Sequence, residues 1–307
     1  MTPEEMSLYP DYGPVTEACE RWFGVSPGWV QLTNGLDEGL HVVAQAAALR
    51  TPGSRGSVVF AEPAFEMYAA SALASGLEVR RVEPGPNLEF HTDAMLEGIG
   101  SDTRLIFLTD PNNPSGLALP AGATAQIAAA APDAIVLLDE AYAEFSGRTA
   151  IGSLLDEHRN LVIGRTFAKA YGLAGLRVGA LVAHPDTLAP FRRIQPPFSV
   201  NICAVRALEA ALGDRRHLDW YVAQATQSRQ LIGEFCRRHK LDAWPSEGNF
   251  ILVRIGPNVG SVVEALATRG VFVRDRSAAP GCDGCVRITA GVVDHTRTCL
   301  AAWEDVL

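Results

Sequence analysis

The sequence predicts an α/β fold in which a mostly parallel sheet, covered by helices on both faces, is joined to a smaller α+β lobe. Three observations carry this expectation. From about residue 30 to 185, short apolar runs bounded by Pro or Gly alternate with Ala-rich amphipathic stretches. The runs are rich in β-branched residues and nearly uninterrupted, as strands buried on both faces must be. After Pro185 the texture changes to long helical segments with a few short strands among them.

In chain order, the strand candidates of the first part are Ser57–Ala61, Leu77–Val82, Leu105–Thr109, Ile135–Leu138, Leu161–Arg165 and Val178–Ala183. Helices are expected between them near 36–50, 64–75 and 121–131, where alanine and leucine favour the helical state. Beyond Pro185 the pattern predicts helices over about 199–212 and 214–239, then a strand at Phe250–Ile255 and a helix from about 260 to 269. Strands at Val271–Arg274 and Val286–Thr289 and a terminal helix complete the chain. The Pro196-Pro197 pair reads as a hinge or linker, because proline cannot continue a helix and restricts the residue before it. The expected organisation is an N-terminal segment over 1–27, a large domain over 28–190 and a small C-terminal domain over 191–307. With 307 residues the chain exceeds the roughly 250–300 at which single cores stop growing, so two lobes are the default.

Composition removes several function classes. A formal net charge of −9 with scattered arginines argues against a nucleic-acid partner, which requires clustered cations. No stretch approaches the roughly 20 apolar residues of a membrane span, and no membrane partner is expected. The acidic start, Met-Thr-Pro-Glu-Glu-Met, lacks the basic and apolar parts of a secretory signal, which points to the cytoplasm. Six irregularly spaced cysteines read as reduced thiols. Cys282 and Cys285 form a Cys-x-x-Cys pair, but zinc needs two further ligands at matching spacing; the pair reads as part of a Gly-Cys loop entering a strand, and no metal is expected.

In open parallel sheets ligands bind beyond the carboxyl ends of the strands, so the residues that follow each apolar run are the candidates. Glu62-Pro-Ala-Phe65 presents an aromatic face after the first run, and Asp110-Pro-Asn-Asn-Pro-Ser-Gly116 forms a fixed turn carrying Asn113. Asp139-Glu-Ala-Tyr142 follows Ile135–Leu138, where a buried carboxylate is costly unless something cationic pairs with it. Thr166-Phe-Ala-Lys169 follows Leu161–Arg165, with Arg177 a few residues on. Singly, each has an ordinary structural explanation: a strand-end Asp caps helices, and a Lys there is usually solvated. Together they place an acid, an amide, a phenol, an aromatic platform, a lysine and an arginine on one sheet edge.

These motifs resemble the fold-type I pyridoxal-phosphate aminotransferases, and within them the histidinol-phosphate aminotransferase group. The carriers are Tyr9-Pro10, Asn34-Gly-Leu-Asp-Glu-Gly39, Pro63-Ala-Phe-Glu-Met-Tyr68, Pro111-Asn-Asn-Pro-Ser-Gly116, Asp139-Glu-Ala-Tyr-Ala-Glu-Phe145, the segment Arg165 to Gly179, and Arg287-Ile-Thr289. The resemblance spans nearly the whole chain and implies the aspartate aminotransferase fold, with a seven-stranded large-domain sheet. It also implies that Lys169 carries pyridoxal 5′-phosphate as a Schiff base and shuttles the substrate proton. Asp139 would keep the pyridine nitrogen protonated, Asn113 and Tyr142 would hydrogen-bond the ring oxygen, and Phe65 would stack on the ring. The phosphate would bind main-chain amides of the Gly35-Leu36-Asp37 turn at a helix start, Arg177 and the Thr166 hydroxyl.

Tyr9 matches a family tyrosine that reaches the phosphate in the neighbouring subunit, which implies a homodimer; packing of Tyr9 on its own lobe is the alternative. Arg287 matches the arginine that grips the substrate's carboxylate or phosphate, and Arg274 a second anion-binding arginine. A surface ion pair of Arg274 with Asp275 or Glu264 is the competing explanation.

Three departures stand out. Phe65 stands where the group often has Tyr, and Ala168 where it commonly has a phosphate-binding Ser. The family's residues ahead of the Tyr-Pro element include an arm over the substrate; here Met1 stands close to Tyr9, so a shorter lid or a lid from another segment is expected. The implied reaction is ping-pong amino transfer between an anionic amine, histidinol phosphate first, and 2-oxoglutarate, with glutamate as the paired amino acid. An aromatic or other amino-acid aminotransferase is the alternative, as is a lyase, decarboxylase or oxidase on the same lysine. A cofactor-binding protein without turnover is a third class.

Overall fold

The computed structural model of the chain describes residues 2–50 and 55–306. Seven strands form the main sheet: β1 (Val30–Thr33), β2 (Ser57–Ala61), β3 (Glu78–Val82), β4 (Thr103–Thr109), β5 (Ile135–Asp139), β6 (Leu161–Thr166) and β7 (Gly179–Val182). Their order across the sheet is β1-β7-β6-β5-β4-β2-β3. β7 pairs antiparallel with both β1 and β6, while the β3, β2, β4, β5 and β6 ladders are parallel. The expected mostly parallel α/β sheet is therefore present, with β7 as its reversed strand.

Strands β4, β5 and β6 are buried almost throughout, as their uniform apolar character requires. β3 departs from the expectation of burial on both faces. It starts at Glu78 and lies on the sheet edge, paired with β2 alone. Its arginines reach outward, Arg80 to Asp102 at 2.7 Å and Arg81 to Glu62 at 3.1 Å. β1, for which the sequence gives no apolar run, is the second unexpected feature. Its buried Gln31 donates through Nε2 to Gln195 Oε1 at 2.7 Å.

A second, four-stranded antiparallel sheet holds β8 (Asp242–Ala243), β9 (Phe250–Arg254), β10 (Arg274–Asp275) and β11 (Cys285–Thr289) in the order β10-β11-β9-β8. The strand expected at Val271–Arg274 begins only at Arg274. Gly270, at φ +76°, turns the chain there, and Val271 and Val273 pack against the lobe's apolar cluster without joining a ladder. Two main cores result. One surrounds the seven-stranded sheet, and its most C-terminal members before β9 are Leu218 and Ala225; the other gathers Ile232, Phe235, Ile251, Val286 and Trp303. The 25-residue helix Arg215–His239 contributes to both, so it fixes one lobe on the other. Helix Gly13–Phe23 packs against β1 and helix Ile202–Gly213, with Val15 and Cys19 inside the first core.

Pro196 and Pro197 lie in the link between helices Pro185–Ile194 and Ile202–Gly213. Cys282 lies in the turn that leads into β11, closed by the N–H of Cys285, the first residue of that strand, donating to Cys282 O at 2.9 Å. Gly284 in that turn has φ +68°, and a Cβ there would come within 2.6 Å of Gly256 O. Among the described residues no group of three or more His, Cys, Asp or Glu side chains is placed to hold a metal ion. No helix among them is long and apolar enough to cross a membrane.

Candidate active site

The carboxyl ends of β4, β5 and β6 meet the amino end of the reversed β7, so four neighbouring strands discharge their loops into one place. The start of helix Gly35–Leu49, which follows β1, completes that edge. A cavity of about 190 Å³ opens there, lined among others by Phe65, Asn113, Asp139, Tyr142, Lys169 and Arg287. One cross-lobe tie borders it, Arg287 Nη1 donating to Asn113 Oδ1 at 2.5 Å; elsewhere Arg148 pairs with Asp110 at 3.2 Å and with Glu247 of the second lobe.

Asp139 is 4 % exposed, and its Oδ1 accepts from Ala141 N–H at 2.9 Å. Its Oδ2 accepts from the Tyr68 hydroxyl at 2.7 Å. Burial pushes the carboxyl up to about 6, against the hydrogen bonds from Tyr68 and Ala141 and the charge of Lys169. No cation forms an ion pair with it among the described residues. Directly behind, Glu140 is buried against Arg165 at 3.0 Å and accepts from the Thr149 hydroxyl at 2.6 Å, which anchors the end of β5 to that of β6.

Lys169 Nζ lies 5.9 Å from the centre of the Tyr142 ring. Burial, followed by the positive charge of Arg287, lowers the lysine's pKa from its ordinary value. A larger fraction of free amine at neutral pH is the consequence, and a nucleophilic lysine needs it. Burial pushes the Tyr142 phenol up to about 12, so it stays protonated and can donate. Arg287 is half-buried over the Phe250 ring at 5.2 Å and has no carboxylate partner among the described residues. Its bond to Asn113 Oδ1 leaves the amide's N–H groups as the free end of that side chain.

The other end of the cavity is built for an anion. Asn34, the residue before helix Gly35–Leu49, places no side-chain cap on its first turn, so the leading N–H groups there have no side-chain acceptor. Gly35 has φ +71°, and a Cβ on it would come within 2.5 Å of Arg177 Nη2; only glycine lets that guanidinium cross the helix start. Gly179 is equally constrained, since a Cβ would meet Leu36 N at 2.7 Å. Arg177 itself holds φ 55° and donates to Asp37 Oδ2 at 2.9 Å. Thr166 Oγ1 accepts from Ala168 N–H at 3.2 Å, which leaves its proton to give.

Of the residues singled out from the sequence, Lys169, Asp139, Tyr142, Asn113, Phe65, Arg177, Thr166, Leu36, Asp37 and Arg287 all line this cavity. Tyr9 and Arg274 do not. Tyr9 is 78 % exposed and stacks on Phe198 at 4.4 Å. Arg274 is exposed, pairs across the ladder with Arg287, and lines an adjoining groove with Arg276 and Glu66; Phe65 borders both spaces. Tyr68, Thr109 and Leu40 line the cavity without having been singled out. For Tyr68 a signal existed: it stands three positions after Phe65 at a helix start, a spacing that puts both on one side.

A family model described as aminotransferase class I and II matches residues 5–301. The chain belongs to the class I and II aminotransferases. A histidinol-phosphate aminotransferase of Ralstonia nicotianae is 38 % identical to this aminotransferase over 98 % of the chain and 82 % of the relative. One of Halalkalibacterium halodurans is 32 % identical, over 98 % and 82 %. The solved structure of histidinol-phosphate aminotransferase from Sinorhizobium meliloti, in complex with pyridoxal-5′-phosphate, aligns with a TM-score of 0.84 at 26 % identity, covering 99 % of this chain and 85 % of that one. A mutant aspartate aminotransferase of Thermus thermophilus shares the fold, with a TM-score of 0.79 at 23 % identity over 95 % and 85 % of the two chains.

Proposed function

We propose that this aminotransferase uses pyridoxal 5′-phosphate to move an amino group between histidinol phosphate and 2-oxoglutarate, working in the cytoplasm as a homodimer. The observation that carries the reading is the buried Asp139 carboxylate, which no cation pairs among the described residues, in the same cavity as Lys169 and Arg287, which has no carboxylate partner among them. The cavity's groups fit the cofactor. Asp139 suits a protonated ring nitrogen, Asn113 and Tyr142 offer donors to the ring oxygen, and Phe65 offers a face to the ring. The uncapped helix start at Gly35-Leu36-Asp37, the Thr166 hydroxyl and Arg177 suit its phosphate. Ala168 contributes no hydroxyl, so these donors carry that end.

Bound there, the cofactor supplies an electron sink for the pair left at the amine carbon. The remaining work falls to side chains. Lys169 Nζ anchors the cofactor, then takes the proton from the amine carbon and returns it on the acceptor side. Arg287 holds the acid group of either amine at a fixed angle. Stacked and exposed, Tyr9 and Phe198 offer an aromatic surface that supports pairing of two copies.

Glutamate added to the yellow holoenzyme should bleach it with stoichiometric release of 2-oxoglutarate, and histidinol phosphate should do the same with release of its keto product. Failure of both amines, or release of carbon dioxide in their place, overturns the reading. Arg274 is the direct ladder partner of Arg287, where the phosphate of a longer substrate could reach it. Arg274→Ala should therefore raise the KM for histidinol phosphate about tenfold or more while leaving that for glutamate within about twofold. Equal changes in the two constants would assign Arg274 to the surface.

A further inference from the structure

We propose that Tyr68 is a positioning residue for the reaction: its hydroxyl proton, aimed by Thr109, holds the Asp139 carboxylate ionised and oriented toward the cofactor's ring nitrogen. The inference rests on the reading of Asp139 given above. Tyr68 Oη lies 2.7 Å from Asp139 Oδ2 and 2.7 Å from Thr109 Oγ1. A phenol has one proton, and an ionised carboxylate can only accept, so that proton belongs to Asp139. The Thr109 hydroxyl must then donate to Tyr68, and the three groups form a directed chain from Thr109 through Tyr68 to Asp139. Ala141 N–H serves the other carboxylate oxygen at 2.9 Å. Each oxygen thus has one protein donor and keeps a lone pair for a further one.

The ring that carries this hydroxyl has little freedom. Tyr68 is 1 % exposed, stacks on Phe107 at 4.6 Å, and meets Phe65 edge-on at 5.8 Å and Phe60 at 6.1 Å. One side chain therefore braces both Asp139 and the Phe65 face. Among the influences on the buried carboxyl, the Tyr68 hydrogen bond is the largest that opposes burial. Without it the carboxylate becomes more basic and competes with the ring nitrogen for the proton they share.

The test uses holoenzyme carrying pyridoxal phosphate labelled with nitrogen-15 in the ring, whose resonance separates protonated from neutral nitrogen. Tyr68→Phe, which retains the stacked ring, should move the resonance toward the neutral position. It should also lower kcat about tenfold or more at nearly constant KM, in keeping with the loss of one hydrogen bond to a charged group. Thr109→Val should move the resonance the same way by a smaller amount, and it decides the matter if Tyr68→Phe does not fold. Asp139→Asn, measured alongside, separates the two levels of the argument. If it too leaves the resonance unchanged, the reading of Asp139 falls; if it moves the resonance while Tyr68→Phe and Thr109→Val do not, the role of Tyr68 alone is overturned.

Discussion

Lys169→Ala is expected to abolish turnover, by about 10⁴-fold or more, while leaving the fold intact. The loss is large because one amine serves as both covalent anchor and proton carrier. No second group can replace it: the chain has two lysines, and the other, Lys240, closes the far end of helix Arg215–His239 in the second lobe. Stability should not suffer. Burial and Arg287 disfavour the charged form of Lys169 in the folded chain, so alanine removes a cation that gains no ion pair there. The melting temperature of the cofactor-free variant should therefore match or exceed that of the cofactor-free wild type. Borohydride reduction of the wild-type holoenzyme followed by peptide mass analysis should place the cofactor on Lys169, and the variant should carry none. Turnover within tenfold of wild type would refute the assignment.

What was legible in the sequence follows from where the information lies. β2, β4, β5 and β6 declare themselves because burial on both faces demands an unbroken apolar run, and that demand is local. Once their ends are located, the residues one step beyond are candidates by position alone, which is how Asp139, Asn113, Thr166 and Lys169 come together. β1 is silent because its buried Gln31 breaks the apolar run and donates to Gln195, 164 positions away, and no local pattern records that bond. β3 misleads because an edge strand is only partly covered, so Arg80 and Arg81, on opposite faces, each reach a carboxylate at the sheet border, Asp102 and Glu62. The same reasoning separates the site residues. Tyr68 reaches Asp139 across 71 positions and Arg287 reaches Asn113 across 174, contacts made by the packing of helices on the sheet and of one lobe on the other. Strand ends predict which groups gather at the cavity. They do not predict which group steadies another.

Asp139→Asn should separate activity from stability in opposite directions. In the folded chain without cofactor burial pushes the carboxyl up to about 6 from its ordinary 3.8, because it penalises the charged form. For an acid whose folded pKa is raised, the native state binds the proton first as pH falls, so stability rises from about pH 6 downward and the penalty is fully present above it. That rise corresponds to roughly 3 kcal/mol at neutral pH. Asparagine is neutral and escapes that cost, but its single amide oxygen can accept from Ala141 N–H or from the Tyr68 hydroxyl and not from both, a loss of about 1–1.5 kcal/mol. The net gain for the cofactor-free variant should be about 1–2 kcal/mol at pH 7.5, read from urea unfolding, and it should shrink toward pH 5. Activity should move the other way. A neutral amide cannot hold a proton on the ring nitrogen, so kcat should fall at least about a hundredfold with Lys169 still occupied. A variant that is both less stable at pH 7.5 and as active as wild type would show that Asp139 is an ordinary buried carboxylate with no cation to meet.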